Sequence, residues 1–180
     1  MSHFNVLKGA YPSLKQLDKT LPLGTGGTGI VRGSCMVIGA NGDANKFIPA
    51  VDASAGSAGV PGAVVYFSLQ NAIDPDVQMA NGITGLPCFM PMEIETDAYD
   101  PDTAPALGDF VMVQAGDDAN GQLGFGVLTK HVSGATAIGV CTKAAYTRWS
   151  NNAVAVPGLK TGNKISVISM WTMYASSLVI

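Results

Sequence analysis

The stretch DFVMVQAGDDANGQLGFGVLTKHVSGATAIGVCTK, residues 109–143, decides the fold class. Its apolar residues come in short runs of Val, Ile, Phe and Met, broken by GDDANG at 116–121 and by Ser133-Gly134. Short β-favouring runs between turn signals read as strands, not helices. Asn120-Gly121 readily takes the positive φ angles of a hairpin turn. The pattern predicts strands over Asp109–Ala115, Gln122–Lys130 and Ala135–Lys143, laid side by side as a three-stranded meander. Gly124, Gly126 and Gly139 fall inside these strands and point to bulges, or to the tight bends of a small barrel.

The same rhythm extends outward. Ile30–Ile38, Ala63–Leu69 and Cys88–Thr96 read as earlier strands, and Lys164–Tyr174, entered through Thr161-Gly162-Asn163, as a later one. Helix signals are scarce in a chain with 22 Gly, 10 Pro and two Glu, and the best candidate, Ser13–Lys19, is barely two turns. The expected fold is therefore all-β, a small barrel or sandwich of about seven or more short strands, with an extended N-terminal arm. Residues 1–29 make up the arm and a flexible Gly-rich junction, GTGGTG at 24–29. Residues 30–180 form the body, in which 144–180 are a C-terminal strand pair or a docking tail. ASAGSAGVPGA at 53–63 has little to pack and reads as a surface loop.

Charge is segregated along the chain. Residues 1–46 carry a net +3, residues 47–129 hold eleven acids with no Lys or Arg, and residues 130–180 hold five bases with no acid. The acidic middle repels itself unless bases of this or a neighbouring chain lie over it. Charged residues are 13% of a 180-residue chain that is 47% apolar, where about 25% charged is usual, so part of the surface is expected to be covered by partners. With a pI near 5.1 and no basic cluster, nucleic acid is not an expected partner. MSHFNVLKGAYPSLK lacks the apolar core of a secretory signal, which predicts synthesis in the cytoplasm without processing by that route. The apolar C-terminal run is broken by Ser166, Ser169, Thr172, Ser176 and Ser177, so a β-strand and no membrane anchor is expected there. Cys35, Cys88 and Cys141 sit in apolar or β-like stretches without C-x-x-C spacing and read as buried free thiols.

Catalytic and cofactor patterns fail on context. Gly24-Thr25-Gly26-Gly27-Thr28-Gly29 matches G-x-G-x-x-G by letter, but Leu21-Pro22-Leu23 precedes it and the β-like IVRGSCMVI follows, where a dinucleotide site needs a strand and then a helix. His3 and His131 have no metal-ligand spacing, and no nucleophile elbow is present. No enzyme activity, cofactor or metal is expected. Glu93, Glu95 and Asp97 alternate, so a strand puts them on one face, where they read as an acidic patch for Lys or Arg of an adjacent subunit. With Asp100 and Asp102, a hard cation is the alternative for that cluster. Trp149, after Arg148 in the loop-like TRWSNN, is the expected interface aromatic.

The arm over Ser2–Leu23, the Gly-rich junction and the Gly-punctuated strands GDFVMVQAG, NGQLGFGVL and ATAIGVCTK together resemble tailed-bacteriophage head decoration, or capsid cement, proteins. The resemblance implies a structural virion protein on the capsid surface, assembled in the host cytoplasm, whose partners are the major capsid protein and its own copies, commonly as a homotrimer. It also implies arms that add strands to capsid sheets. In this chain the anchors would be Phe4, Tyr11, Leu14 and Leu17, and the charges Lys8, Lys15 and Lys19. Two other readings remain beside it: another self-assembling virion subunit, of capsid or tail tube, and a carbohydrate-binding β-sandwich.

Overall fold

The computed structural model describes residues 4–9, 18–50, 64–88, 92–133, 135–147 and 163–173. In chain order these residues form β1 (Phe4–Gly9), β2 (Lys19–Leu21), β3 (Cys35–Ile38), β4 (Phe47–Pro49) and β5 (Tyr66–Ser68). Helix α1 (Pro75–Ala80), β6 (Ile83–Pro87), β7 (Met92–Thr96), β8 (Phe110–Ala115), β9 (Gly126–Lys130), β10 (Ala137–Thr147) and β11 (Asn163–Met173) follow. The strands belong to one sheet in the order β1-β7-β11-β10-β8-β9-β3-β5-β6-β2, with β4 added on β3, and every strand pairing is antiparallel. The protein is all-β, as its turn-punctuated pattern predicts, but the sheet is not closed into a barrel.

The β8–β9 hairpin forms where expected, from Val111 opposite Lys130 to Ala115 opposite Gly126. Asp117 accepts from the Ala119 N–H to start a 3-10 turn over Asp118–Asn120, and Gly121 ends it with φ 66°. The meander, however, is not formed. β10 lies against β8, with Gly139 opposite Val111 and Val140 opposite Phe110. The far edge of β9 is already occupied: Ala98 and Thr103 carbonyls accept from Leu128 and Lys130, the Leu128 carbonyl accepts from Asp100, and Cys35 faces Gly126. The His131 N–H donates to the Phe110 carbonyl and carries the chain past the start of β8, whose other edge is free to take β10. Gly139 sits at a register shift between β10 and β11, the bulge its position suggests.

The edge of β3 remote from β5 is shared. Cys35 meets Gly126 of β9, while Met36, Val37 and Ile38 meet Pro49, Ile48 and Phe47 of β4. A Cβ on Gly126 would stand 2.6 Å from the Ala50 carbonyl oxygen and 2.7 Å from that of Cys35, so only glycine lets the three strands converge.

β3, β5 and β6 are buried on both faces. Cys35, Val37, Phe67 and Leu86 join a core with Ile94, Val111, Leu128, Ile138 and Ile165, while Met36, Tyr66 and Ile83 join a second with Ile30, Phe47 and Val77. Two-sided burial suits the continuous apolar run CMVI of β3, whereas β6, ITGLP, is a strand that the sequence pattern did not single out. Each large side chain fully withdrawn from water here contributes about 1.5–3 kcal/mol. The second core is enclosed because the sheet curls at this end: Phe47 donates to the Pro22 carbonyl and accepts from Gly24, both at 2.8 Å, tying the chain after β2 to β4.

The Gly-rich junction is not a flexible linker. Gly27–Gly29 form a 3-10 turn closed by bonds from Gly27 to Gly24, Gly29 to Gly26 and Ile30 to Gly27. Gly29 packs so closely on the Gly124 backbone that a Cβ would lie 2.5 Å from its carbonyl oxygen. Extended Ile30 follows instead of a helix, so the G-x-G-x-x-G letters do not open a nucleotide loop. The described parts of the expected arm are strands of the body's own sheet, β1 at one end and β2 at the other. Of the expected helix Ser13–Lys19, residues 13–17 lie outside the described residues and Lys19 opens β2. The helix that forms, α1, has Pro75 in its first turn, a left-handed Asn81 at its end and one side chain, Val77, buried in the second core.

Candidate interaction surfaces

On β7, Met92, Ile94 and Thr96 are buried together, with Met92 and Ile94 in the first core, which places Glu93 and Glu95 on the opposite face. That face is not an open acidic patch. Glu95 is 2% exposed, and Glu93 is half-buried and accepts from the Thr142 hydroxyl at 2.9 Å. Both flanking strands come from the same chain: Glu95 has Asn5 on one side and Ser166 on the other, and Glu93 has Lys8 and Ile168. Asp97 lies just past the strand, half-buried, its carbonyl closing a turn with the Tyr99 N–H.

Phe4 is 3% exposed, stacks on Phe67 with ring centroids 5.7 Å apart, and offers its carbonyl to the Arg32 guanidinium at 3.3 Å. It is an anchor in the chain's own core and not one presented to a partner. The reason is pairing: once β1 adds to β7, its inward-facing side chains meet the core of this chain. Lys8 lies within β1, and Lys19 is exposed at the start of β2, opposite Gly85. Tyr11, Leu14, Lys15, Leu17 and Trp149 lie outside the described residues.

Asp100 is structural. Both carboxylate oxygens are engaged, one by the Asp102 N–H at 2.9 Å, the other by the Thr103 hydroxyl at 2.7 Å and the Gln114 amide at 2.6 Å. Thr103 also meets the Thr129 hydroxyl, and the Asn120 amide donates to Asp102. This network fastens the segment after β7 across the β8–β9 hairpin, and sequence spacing alone did not distinguish it from cation ligation. No group of three or more His, Cys, Asp or Glu among the described residues is placed to share a metal ion.

Ion pairs among the described residues include Lys46–Asp43 at 3.7 Å and Lys130–Asp109 at 3.1 Å. Hydrogen bonds from Thr25, with Lys46 adding to them, hold the Asp43 carboxyl below its ordinary range. The Ala106 N–H and then Lys130 do the same for Asp109. The three cysteines are free and fully buried. Burial pushes the Cys88 thiol up to about 12, and raises those of Cys35 and Cys141. Such thiols are poor nucleophiles.

The surface also carries large apolar side chains that no periodicity singled out. Ile73, just before α1, and Met79, within it, are 77% and 88% exposed, and Leu107, Phe110 and Val132, at 72%, 45% and 55%, lie near where β8 begins and β9 ends. Strand and turn patterning identifies elements but not which of their side chains a neighbour covers.

The fold thus defines an all-β protein with an edge strand, β1, and exposed apolar patches among its described residues. No family model, no curated protein and no solved structure matches the chain. No helix among the described residues is long and apolar enough to cross a membrane.

Proposed function

We propose that this chain is a structural virion protein that binds the outer surface of a tailed-bacteriophage capsid as a homo-oligomer and stabilises it without catalysis. The observation that carries this reading is the placement of β1. It is an edge strand with one neighbour, β7, among the described residues, and its other edge leaves backbone groups for a sheet outside the chain. Leu7, 38% exposed at a register shift in β1, gives that edge an apolar contact point. In this form of the reading the arm does not leave the body to reach the capsid, because Phe4 holds β1 in place, and the capsid sheet adds to the outside of β1 instead. The low charge content and segregated charge support assembly in the same direction.

The test is co-sedimentation of the purified protein with expanded capsids lacking any decoration. Saturable binding at a fixed copy number, with slower heat-induced loss of DNA from the capsids, is the expected result. Failure to co-sediment removes the reading, and spontaneous growth of the purified protein into tubes or shells replaces it with a main capsid or tail-tube subunit.

A further inference from the structure

We propose that the turn Asn41-Gly42, between β3 and β4, is a site of self-modification, at which the Gly42 backbone nitrogen attacks the Asn41 side-chain amide, while the fold holds the other Asn-Gly pairs back from the same reaction. The inference stands apart from the capsid reading.

The sequence has three Asn-Gly pairs, Asn41-Gly42, Asn81-Gly82 and Asn120-Gly121. Glycine after asparagine leaves the main-chain nitrogen open to a close approach, because no Cβ stands in the way. The same dipeptide brings the same local chemistry to each position, so a difference in rate between them comes from the fold. The fold controls access to the glycine N–H, which must give up its proton, and the freedom of the asparagine side chain, which must swing onto that nitrogen.

Two of the pairs are restrained. Gly82 is buried, and its N–H donates to the Val77 carbonyl at 3.2 Å where α1 ends. The Gly121 N–H donates to the Asp118 carbonyl at 2.9 Å, and the Asn120 side-chain amide donates to Asp102 at 3.0 Å.

Asn41 differs from both. It is exposed, in the left-handed region with φ 52°, and Gly42 beside it is exposed with nothing within 4 Å of where a Cβ would stand. The 3-10 turn over Asn41–Asp43 is closed by bonds from Asp43 to Ala40 and from Ala44 to Asn41, both at 3.0 Å. Gly42 lies in the first turn, where an N–H has no carbonyl of the turn to reach. Among the described residues, neither that N–H nor the Asn41 side-chain amide has a hydrogen-bond partner.

In the reaction the Gly42 nitrogen loses its proton and bonds to Asn41 Cγ, the bond from Cγ to Nδ2 breaks, and ammonia leaves with the proton. Water then opens the cyclic imide. Attack at the side-chain carbonyl gives aspartate, and attack at the main-chain carbonyl gives isoaspartate, which adds a methylene to the backbone. Either product places a carboxylate two residues from Asp43, which accepts from the Thr25 N–H at 3.1 Å and pairs with Lys46 at 3.7 Å. Asp43 joins this turn to the Gly-rich junction, and the new like charge weakens that joint.

The experiment incubates the full-length protein in mildly alkaline buffer, folded and in urea, and follows each Asn-Gly pair by peptide mass spectrometry. In folded protein Asn41 is expected to convert about tenfold faster than Asn81 or Asn120, the factor set by having first to break one hydrogen bond. In urea the three rates should converge. Gly42→Ala, whose new Cβ meets nothing, should keep the fold and slow conversion at Asn41 alone. Similar rates at the three sites in folded protein, faster conversion at Asn81 or Asn120, or undiminished conversion in Gly42→Ala overturns the inference.

Discussion

Lys8 stands across the β1–β7 ladder from Glu93 of the same chain. The backbone of the N-terminal strand is therefore paired in cis with a strand of the acidic middle. Directly opposed like charges in a sheet destabilise it by about as much as opposite ones stabilise it, roughly 0.2–1 kcal/mol. Lys8→Glu is expected to lower stability in urea by about 1 kcal/mol and Lys8→Ala by less, the gap shrinking in 1 M salt as screening sets in. Identical urea midpoints for the two variants at low salt would remove the electrostatic role of this register.

Phe4→Ala separates a core residue from a partner anchor. Phe4 stacks on Phe67 in the first core, and truncating a buried Phe costs about 3–5 kcal/mol. Denaturant unfolding of the isolated protein should show a loss of about 3 kcal/mol. A side chain whose role was to enter a pocket on another protein would leave the isolated chain unchanged.

Gly126→Ala tests the strand junction. The added methyl has no flexible neighbour to displace, because the two closest atoms are the backbone carbonyl oxygens of Ala50 and Cys35. An overpacking cost of about 1–3 kcal/mol is expected. Gly42→Ala, where nothing lies within 4 Å of the new Cβ, is the control and should stay within about 0.5 kcal/mol of wild type.

Native thiols should be silent. With Cys35, Cys88 and Cys141 fully buried and their thiols raised, alkylation at pH 8 is expected to follow the unfolding rate, and denatured protein should label at all three. Rapid labelling of any one of them in folded protein contradicts the packing described for that strand.

Asp109 should contribute an acid-labile part of the stability. The Ala106 N–H and Lys130 lower its folded value below the ordinary 3.8. Its contribution is therefore complete above that ordinary value and is lost as pH falls through the lower, folded one. Melting temperatures of wild type and Asp109→Asn should differ at neutral pH and converge in acid. A gap that persists unchanged at the lowest pH assigns the effect to something other than ionisation.

Local chemistry was legible in the residues themselves. The hairpin after β8 follows from Asn120-Gly121, and Gly121 does take the positive φ; the bulge at Gly139 and the buried thiols were equally readable. α1 was signalled by Pro75 and by Asn81-Gly82, yet six residues burying one side chain, Val77, are too few to show a helical period. At the candidate surfaces the alternation of Glu93 and Glu95 on one face was legible, while the burial of Glu95 and the exposure of Leu107 and Met79 were not.

By itself, then, the sequence determined an all-β chain with its turns and its division of charge, because turn geometry, strand preference and charge belong to residues and their near neighbours. Only the tertiary structure decided that FNVLKG is a sheet edge paired with a strand nearly ninety residues later and not a free arm. Only it decided that β10 joins β8, that GTGGTG is a packed turn and that Asp100 is a fastening. Those outcomes depend on which edges are free, which backbones can approach and which carboxylates find donors, and each is settled by segments distant in the chain.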